Sequence, residues 1–264
     1  MVVLITGISS GFGLATAQLL AEEGHTVYGT VRREVEPLPK VHYLKMDVRD
    51  REAVKGAVKQ VVDQEGHIDV LVNNAGMGIG GPVEFATEEE IKEQMDTNFI
   101  GLVHFVTAVL PYMRVQGSGK IIAISSIGGL MGLPFQGFYS ASKFAIEGYC
   151  EALRLETKQF GVNVVVVRPG DFSTGFTGSR IKTVNAEASR IYTSYAKSMM
   201  KAEQDEVGGL KPQVLACSIS RIIRKKNPQY GYVVASFEQR LSVFLKSVLP
   251  ARWFASILGG YYKL

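Results

Sequence analysis

Tyr139-Ser140-Ala141-Ser142-Lys143 places a phenol and an ammonium four residues apart. The stretch from Phe138 to Phe160 has a helical apolar period, so the two side chains share one face and can enter one cleft. A phenol titrates near 10, too high for acid or base work at neutral pH. Lowering it by about three units takes about 4 kcal/mol of differential interaction, and a nearby ammonium supplies part of that by stabilising the phenolate. The pair can therefore move a proton to or from an oxygen at neutral pH. The same spacing on its own also fits a solvated helix face, and what lies in register with it decides its weight.

A second constellation opens the chain. Thr6-Gly7-Ile8-Ser9-Ser10-Gly11-Phe12-Gly13 follows the apolar run Val2 to Ile5 and leads into an amphipathic stretch. Gly7 allows a tight turn, Gly11 lets the backbone approach a diphosphate, and Gly13 permits close packing at a helix start whose free N–H groups favour anions. Ser9, Ser10 and Phe12 complete the turn that is expected to hold a dinucleotide.

The spacing G-x-x-x-G-x-G resembles that of the short-chain dehydrogenase/reductase family. Further along, Asn73-Asn74-Ala75-Gly76, Tyr-x-x-x-Lys at 139 and 143, and Pro169-Gly170-Asp171-Phe172-Ser173-Thr174 are similar to that family's other motifs and occur in its order. The resemblance covers about residues 1 to 175 and implies a role for each residue. Asp47 and Val48 would contact adenine, with Asn74, Ala75 and Gly76 near its ribose. Tyr139 would be the acid/base, and Lys143 would tune it and hold the nicotinamide ribose. Ser126 would polarise the substrate oxygen, although Ser125 competes for that role from the other face of the strand. Asn98 would support a proton relay through Lys143 and water. Pro169, Gly170 and Phe172 would lie beside the nicotinamide, and Thr174 would hold its carboxamide. Members acting on steroids, retinoids and long-chain ketones have the most similar layout, which implies a hydrophobic carbonyl or alcohol substrate.

The residues after the second apolar run, Gly29-Thr30-Val31-Arg32-Arg33, bear on the cofactor. A carboxylate there would bind ribose hydroxyls and repel a 2′-phosphate. Val31 takes that position instead, and Arg32 or Arg33 can grip a phosphate with a planar fork. NADP(H) is the expected cofactor. A non-catalytic NADP(H) sensor would use the same turn, but such relatives lack the Tyr/Lys pair. An epimerase or dehydratase would open with a different glycine spacing.

Positioning these groups requires alternating elements. Apolar runs at Val2 to Ile5, Thr26 to Val31, Val41 to Met46, Ile68 to Asn73, Lys120 to Ser125 and Asn163 to Val167 read as strands buried on both faces. Helical stretches at Gly13 to Glu23, Arg51 to Glu65, Glu88 to Arg114 and Phe138 to Phe160 separate them. The expectation is an α/β, single-domain Rossmann fold over 1–264: a doubly wound parallel sheet, helices on both faces, and a C-terminal helical extension.

With 46% hydrophobic and 20% charged residues the chain suits one large core. A net charge of +4 with scattered basic residues implies no nucleic acid. Two cysteines without metal spacing and four unclustered histidines point to a reduced, metal-free, cytoplasmic protein. No stretch of about 18 uncharged apolar residues suggests a spanning helix. Residues 176–207 are expected to cover the substrate, with Ile181, Ile191, Tyr192, Tyr195, Met199 and Met200 as candidate pocket lining. The tail, 237–264, is apolar and broken at Pro250, so it should form two short helices. Its apolar faces could pack on their own domain, join subunits of a homodimer or homotetramer, or lie on a membrane surface.

Overall fold

Short runs of valine, isoleucine and leucine send alternate side chains to opposite faces of a sheet, and here both faces are covered. The computed structural model describes residues 1–183 and 190–264. The strands are β1 (Val2–Ile5), β2 (Thr26–Val31), β3 (Val41–Lys45), β4 (Val70–Asn73), β5 (Ile79–Gly80), β6 (Gly119–Ile124), β7 (Val162–Pro169), β8 (Ile181–Lys182) and β9 (Gly231–Val234). Seven of them form one parallel sheet in the order β3-β2-β1-β4-β6-β7-β9, and β5 pairs with β8 separately.

Around the sheet lie α1 (Gly11–Glu22), α2 (Arg51–Glu65), α3 (Glu88–Met95), α4 (Gly101–Gln116), α5 (Gly137–Thr157), α6 (Phe176–Ser179), α7 (Tyr195–Val207), α8 (Pro212–Arg224), α9 (Phe237–Val248) and α10 (Ala251–Tyr261). Val2 and Leu4 of β1 join one core with α2, α4 and α5. Val3 and Ile5 join the other, with α1 and α8. The same alternation recurs in β7, where Val164 and Val166 face one core and Val165 and Val167 the other. This is the single-domain, doubly wound arrangement that the alternating pattern requires.

Three details differ from the sequence reading. The expected helix from Glu88 is interrupted by a π-turn at Asp96–Ile100, which joins α3 to α4. The path Glu88–Gln116 is 29 residues long and holds an 18-residue window of mean hydropathy 1.3, enough by length and composition for a membrane-crossing helix. Its apolar side, including Phe105, Val106 and Val109, is spent on the core against the sheet. A seventh strand, β9, closes the edge beside β7. It went unnoticed because it is four residues long and set among polar ones. In the tail, α9 and α10 meet at Pro250 as expected; the Ser236 hydroxyl accepts from Gln239 N (3.4 Å) to start α9.

Candidate active site

The order of the sheet reverses between β1 and β4, and a crevice opens there beyond the carboxyl ends of the strands. A cavity of about 1050 Å³ occupies it. It is lined by Gly7, Ser9, Ser10, Gly11, Phe12, Arg32, Arg33, Asp47, Val48, Asn74, Ala75 and Gly76 at one end. Ser126, Tyr139, Lys143, Pro169, Gly170, Phe172 and Thr174 line it further along. Two expected site residues, Gly13 and Asn98, are not in the lining. Gly13 acts by absence: a Cβ there would sit 2.1 Å from the Gly7 carbonyl oxygen.

The glycine turn fits a dinucleotide's diphosphate. Gly7 and Gly11 adopt φ of +71° and +57°, where a side chain is strained. A Cβ on Gly7 would press to 3.0 Å from Ala75 Cα, so the two loops touch only because Gly7 has none. Ser10, the residue before α1, gives its side chain to no capping bond, which leaves the first N–H groups of the helix open to an anion. Asn74 was expected at a ribose, yet its amide donates to the carbonyls of Thr6 and Gly7 (2.9 Å each) and so also holds the turn. Phe12 meets Phe172 edge-on at 4.8 Å, closing the turn against the loop after β7.

At the end of the cavity beside β2 and β3 the charge is basic. Asp47 is clamped by Arg49, whose Nη2 lies 2.7 Å and Nε 3.0 Å from Oδ2, and this contact holds the carboxyl below its usual range. Arg32 and Arg33 are exposed and line the cavity with Arg49.

Ser126, at the end of β6, accepts from Gly128 N (3.0 Å). Its hydroxyl is thereby free to donate to the Tyr139 oxygen, which pulls that phenol's pKa down while burial, the larger effect, pushes it up. Of the two competing serines, Ser126 is the one turned toward Tyr139. Ser125 Oγ is buried, has no hydrogen-bond partner among the described residues and packs toward Gly129. Lys143 Nζ donates to the Ile124 carbonyl (2.8 Å) and lies 5.8 Å from the centre of the Tyr139 ring. Burial draws its pKa down to about 8.

Asn98 rides on the π-turn, where its side chain is bonded on all sides. Oδ1 accepts from Met77 N (2.8 Å), and Nδ2 donates to Met77 O and Ser142 Oγ (3.0 Å each). It ties the loop after β4 to α5 directly beneath the Tyr/Lys pair.

The far wall comes from regions whose sequence carried no motif. Gln239 of α9 accepts from Asp171 N (3.1 Å) and donates to Asp171 Oδ2 (2.6 Å). Burial first, then the charges of Glu206 and Asp205, push the Asp171 carboxyl up to about 6. Phe176 packs against the Tyr139 ring (5.7 Å) and under Arg180, which is ion-paired to Glu206. Leu241, Leu245, Phe254 and Leu258 of the tail complete an apolar surface opposite the loop after β7.

The model of the short chain dehydrogenase family matches residues 1–185. The chain belongs to that family. It is 49% identical over 264 residues to a 3-ketodihydrosphingosine reductase of Bacteroides thetaiotaomicron, covering 100% of this chain and 98% of that one. It is 41% identical over 191 residues to the 17-beta-hydroxysteroid dehydrogenase type 1 of Homo sapiens, 66% of this chain and 58% of the human one. A short-chain dehydrogenase from Streptomyces avermitilis superposes with a TM-score of 0.82 at 30% identity, covering 99% and 96% of the two chains. This short-chain dehydrogenase is thus an oxidoreductase acting on a CH–OH/C=O pair with a nicotinamide cofactor.

The residues that sequence reasoning missed in this short-chain dehydrogenase lie both within the family match and beyond it. Of the six apolar residues expected to line the pocket from 176–207, none does. Met199 is buried against Gly80, and Tyr192 and Tyr195 pack on Phe135. From that segment Phe176, Thr177, Ser179 and Glu206 reach the cavity instead. Part of the expected cover, residues 184–189, lies outside the described residues. Arg49 was also missed, although it stands two residues after Asp47, just before the Asp50 cap of α2.

Proposed function

We propose that this enzyme uses NADP(H) to interconvert a ketone and an alcohol on a hydrophobic, keto-lipid-like substrate. The observation that carries the reading is one continuous cavity. It has three arginines at one end, Ser126, Tyr139 and Lys143 in the middle, and an apolar wall from α9 and α10 at the other. Arg32, Arg33 and Arg49 would hold a 2′-phosphate, and Asp47, already neutralised by Arg49, would not repel it. The turn at Gly7 to Gly13 would take the diphosphate. Asn74, Ala75, Gly76 and Val48 would face the adenosine, and Pro169, Gly170, Phe172 and Thr174 the nicotinamide.

Bound NADPH supplies a hydride to the carbonyl carbon. Tyr139 supplies the proton to the carbonyl oxygen, and burial keeps that phenol protonated and ready to donate. Ser126 polarises the same oxygen by donating a hydrogen bond, which strengthens as charge develops there. As Tyr139 becomes phenolate, Lys143 beside it gains a reason to hold its own proton, which its burial otherwise opposes. Asn98 fixes the floor under this pair and supports the return of a proton through Lys143. The keto-lipid reductase among the relatives supports the substrate class. We place the enzyme in the cytoplasm as a homodimer or homotetramer. Exposed Tyr112 and Val115 on α4 and Phe144 and Leu155 on α5 support such an assembly.

A panel of carbonyls and alcohols, from short ketones to long-chain β-functionalised ones, followed by nicotinamide absorbance with NADPH and NADH, tests this. The expected result is faster turnover with longer chains and with NADPH at low concentration. Equal use of NADH, unchanged in Arg32→Ala, would overturn the cofactor assignment.

A further inference from the structure

The tail helices wall the cavity, and much of their apolar surface stays exposed beside it. Leu241, Leu245, Phe254, Ile257, Leu258 and Tyr261 line the cavity. On α9, Phe237, Leu241, Phe244 and Val248 repeat at helical spacing and are 44% to 77% exposed; the first two also line the cavity, and Phe244 and Val248 lie outside its lining. On α10 the series Trp253, Ile257, Tyr261 and the following Leu264 is 50% to 61% exposed; Ile257 and Tyr261 also line the cavity, and Trp253 and Leu264 lie outside its lining. A helix at a protein surface ordinarily turns polar residues to water, and a contiguous apolar stripe marks a surface meant for a partner.

The charges beside the stripes indicate which partner. Arg240, Lys246, Arg252 and Lys263 are all exposed, against a single acid, Glu238. Among the described residues none of these four cations pairs with a carboxylate, whereas Lys45, Lys55, Lys59, Lys92 and Lys201 elsewhere on the surface each do. In a two-fold contact between copies of the chain each of these cations would meet the same surface of the other copy, adding like charge to like. An anionic lipid surface reverses the sign of that term: headgroup phosphates neutralise the cations while the stripes enter the acyl boundary, with Trp253 and Tyr261 at headgroup depth.

We propose that α9 and α10 dock the enzyme on an anionic phospholipid bilayer, so that their inner faces receive an apolar substrate directly from the membrane. The second clause rests on the keto-lipid reading; docking itself does not. The helices that touch lipid and the wall of the cavity are the same, which lets a long-chain ketone reach Tyr139 without crossing water.

Trp253 is the chain's one tryptophan and sits in the stripe, so it reports docking by itself. The full-length protein is mixed at low salt with phosphatidylglycerol/phosphatidylcholine vesicles and, separately, with phosphatidylcholine alone. The expected result is a blue shift of Trp253 emission and co-sedimentation with the anionic vesicles, weakened by salt and by pure phosphatidylcholine. Phe244→Gln with Val248→Gln, at two positions outside the cavity lining, should weaken vesicle binding about tenfold or more. Turnover of a short, water-soluble ketone should stay unchanged in that variant. An unshifted Trp253 spectrum with anionic vesicles at low salt overturns the docking proposal. So does a protein dimer that excludes vesicles and dissociates in the double variant. Docking without any turnover on the carbonyl panel would overturn the activity reading and leave docking standing.

Discussion

The two ends of the cleft are made from different materials. Around the glycine turn the working groups are backbone N–H donors at the ends of β1 and β4, held by contacts with no slack: Gly13 against the Gly7 carbonyl, Gly7 against Ala75. Around the tail they are side chains on α9 and α10, joined to the rest through Gln239 and Asp171, through the Tyr261 hydroxyl with Lys201 and Asp205, and by apolar contact. A Cβ added at Gly259 or Gly260 in α10 would meet nothing within 4 Å. One end tolerates almost no change of backbone or volume, and the other can exchange its lining while the sheet stays intact. A fixed cofactor and a variable substrate call for that division.

The contrast breaks first at Gly13. We expect Gly13→Ala to lose more than about 3 kcal/mol of stability, because the added carbon overlaps a backbone oxygen that only the turn itself could move. Thermal melting and NADPH titration would both show the damage, and a near-native melt with intact binding would mean that the turn is as tolerant as the tail.

Lys143 comes next, as a site where function opposes stability. Its pKa is about 8 in the fold against an ordinary value of 10.5, so the unfolded chain binds more protons between those values and stability rises with pH across that window. Below pH 8 the cost is fully present. Lys143→Met should therefore raise stability at pH 7 by up to about 3 kcal/mol, before the lost bond to Ile124 is counted, while turnover disappears. Melts at pH 7 and pH 10 check it: the gain should shrink at the higher pH, and a gain independent of pH would assign the effect to packing alone.

Asp171 runs with the opposite sign. Its carboxyl is raised from 3.8 to about 6, so the native state holds the extra proton in that interval and stability falls as pH rises through it. Asp171→Asn keeps an oxygen for Gln239 and should add about 1–2 kcal/mol above pH 6, with no gain below pH 4. A melt that is equally shifted at pH 4 and pH 8 would contradict the carboxylate account. The smallest effect belongs to Gly259→Ala, which should raise the melting temperature by the equivalent of about 1 kcal/mol or less, since alanine favours the helix and the site has room. A loss there would show the tail to be as tightly packed as the turn.

The same division explains what could be read from the residues alone. Turns that must present N–H groups to a phosphate need glycine at set positions, and a phenol needs its lysine one helical turn away; such demands leave few spellings. Parallel strands buried on both faces are similarly legible in β1, β6 and β7. By contrast, the expected lining from Ile181 to Met200 misplaced the pocket, because helical spacing of apolar residues serves core and cavity alike, and Met199 serves the core. Gln239 and Asp171 stand far apart in sequence and form an amide–carboxylate contact that no local pattern marks. The tail divided its apolar residues between the cavity and the surface, and spacing gave no means to tell which face was which.

The account turns on the phenol at position 139, and one paired measurement tests it most directly. Tyr139→Phe is compared with the unaltered enzyme for NADPH affinity, by the fluorescence of the bound nicotinamide, and for turnover of the best ketone from the panel. The ring and its contact with Phe176 are retained, and only the hydroxyl that carries the proton is removed. The account predicts unchanged NADPH affinity with turnover reduced by at least about 100-fold; turnover close to that of the unaltered enzyme would contradict it.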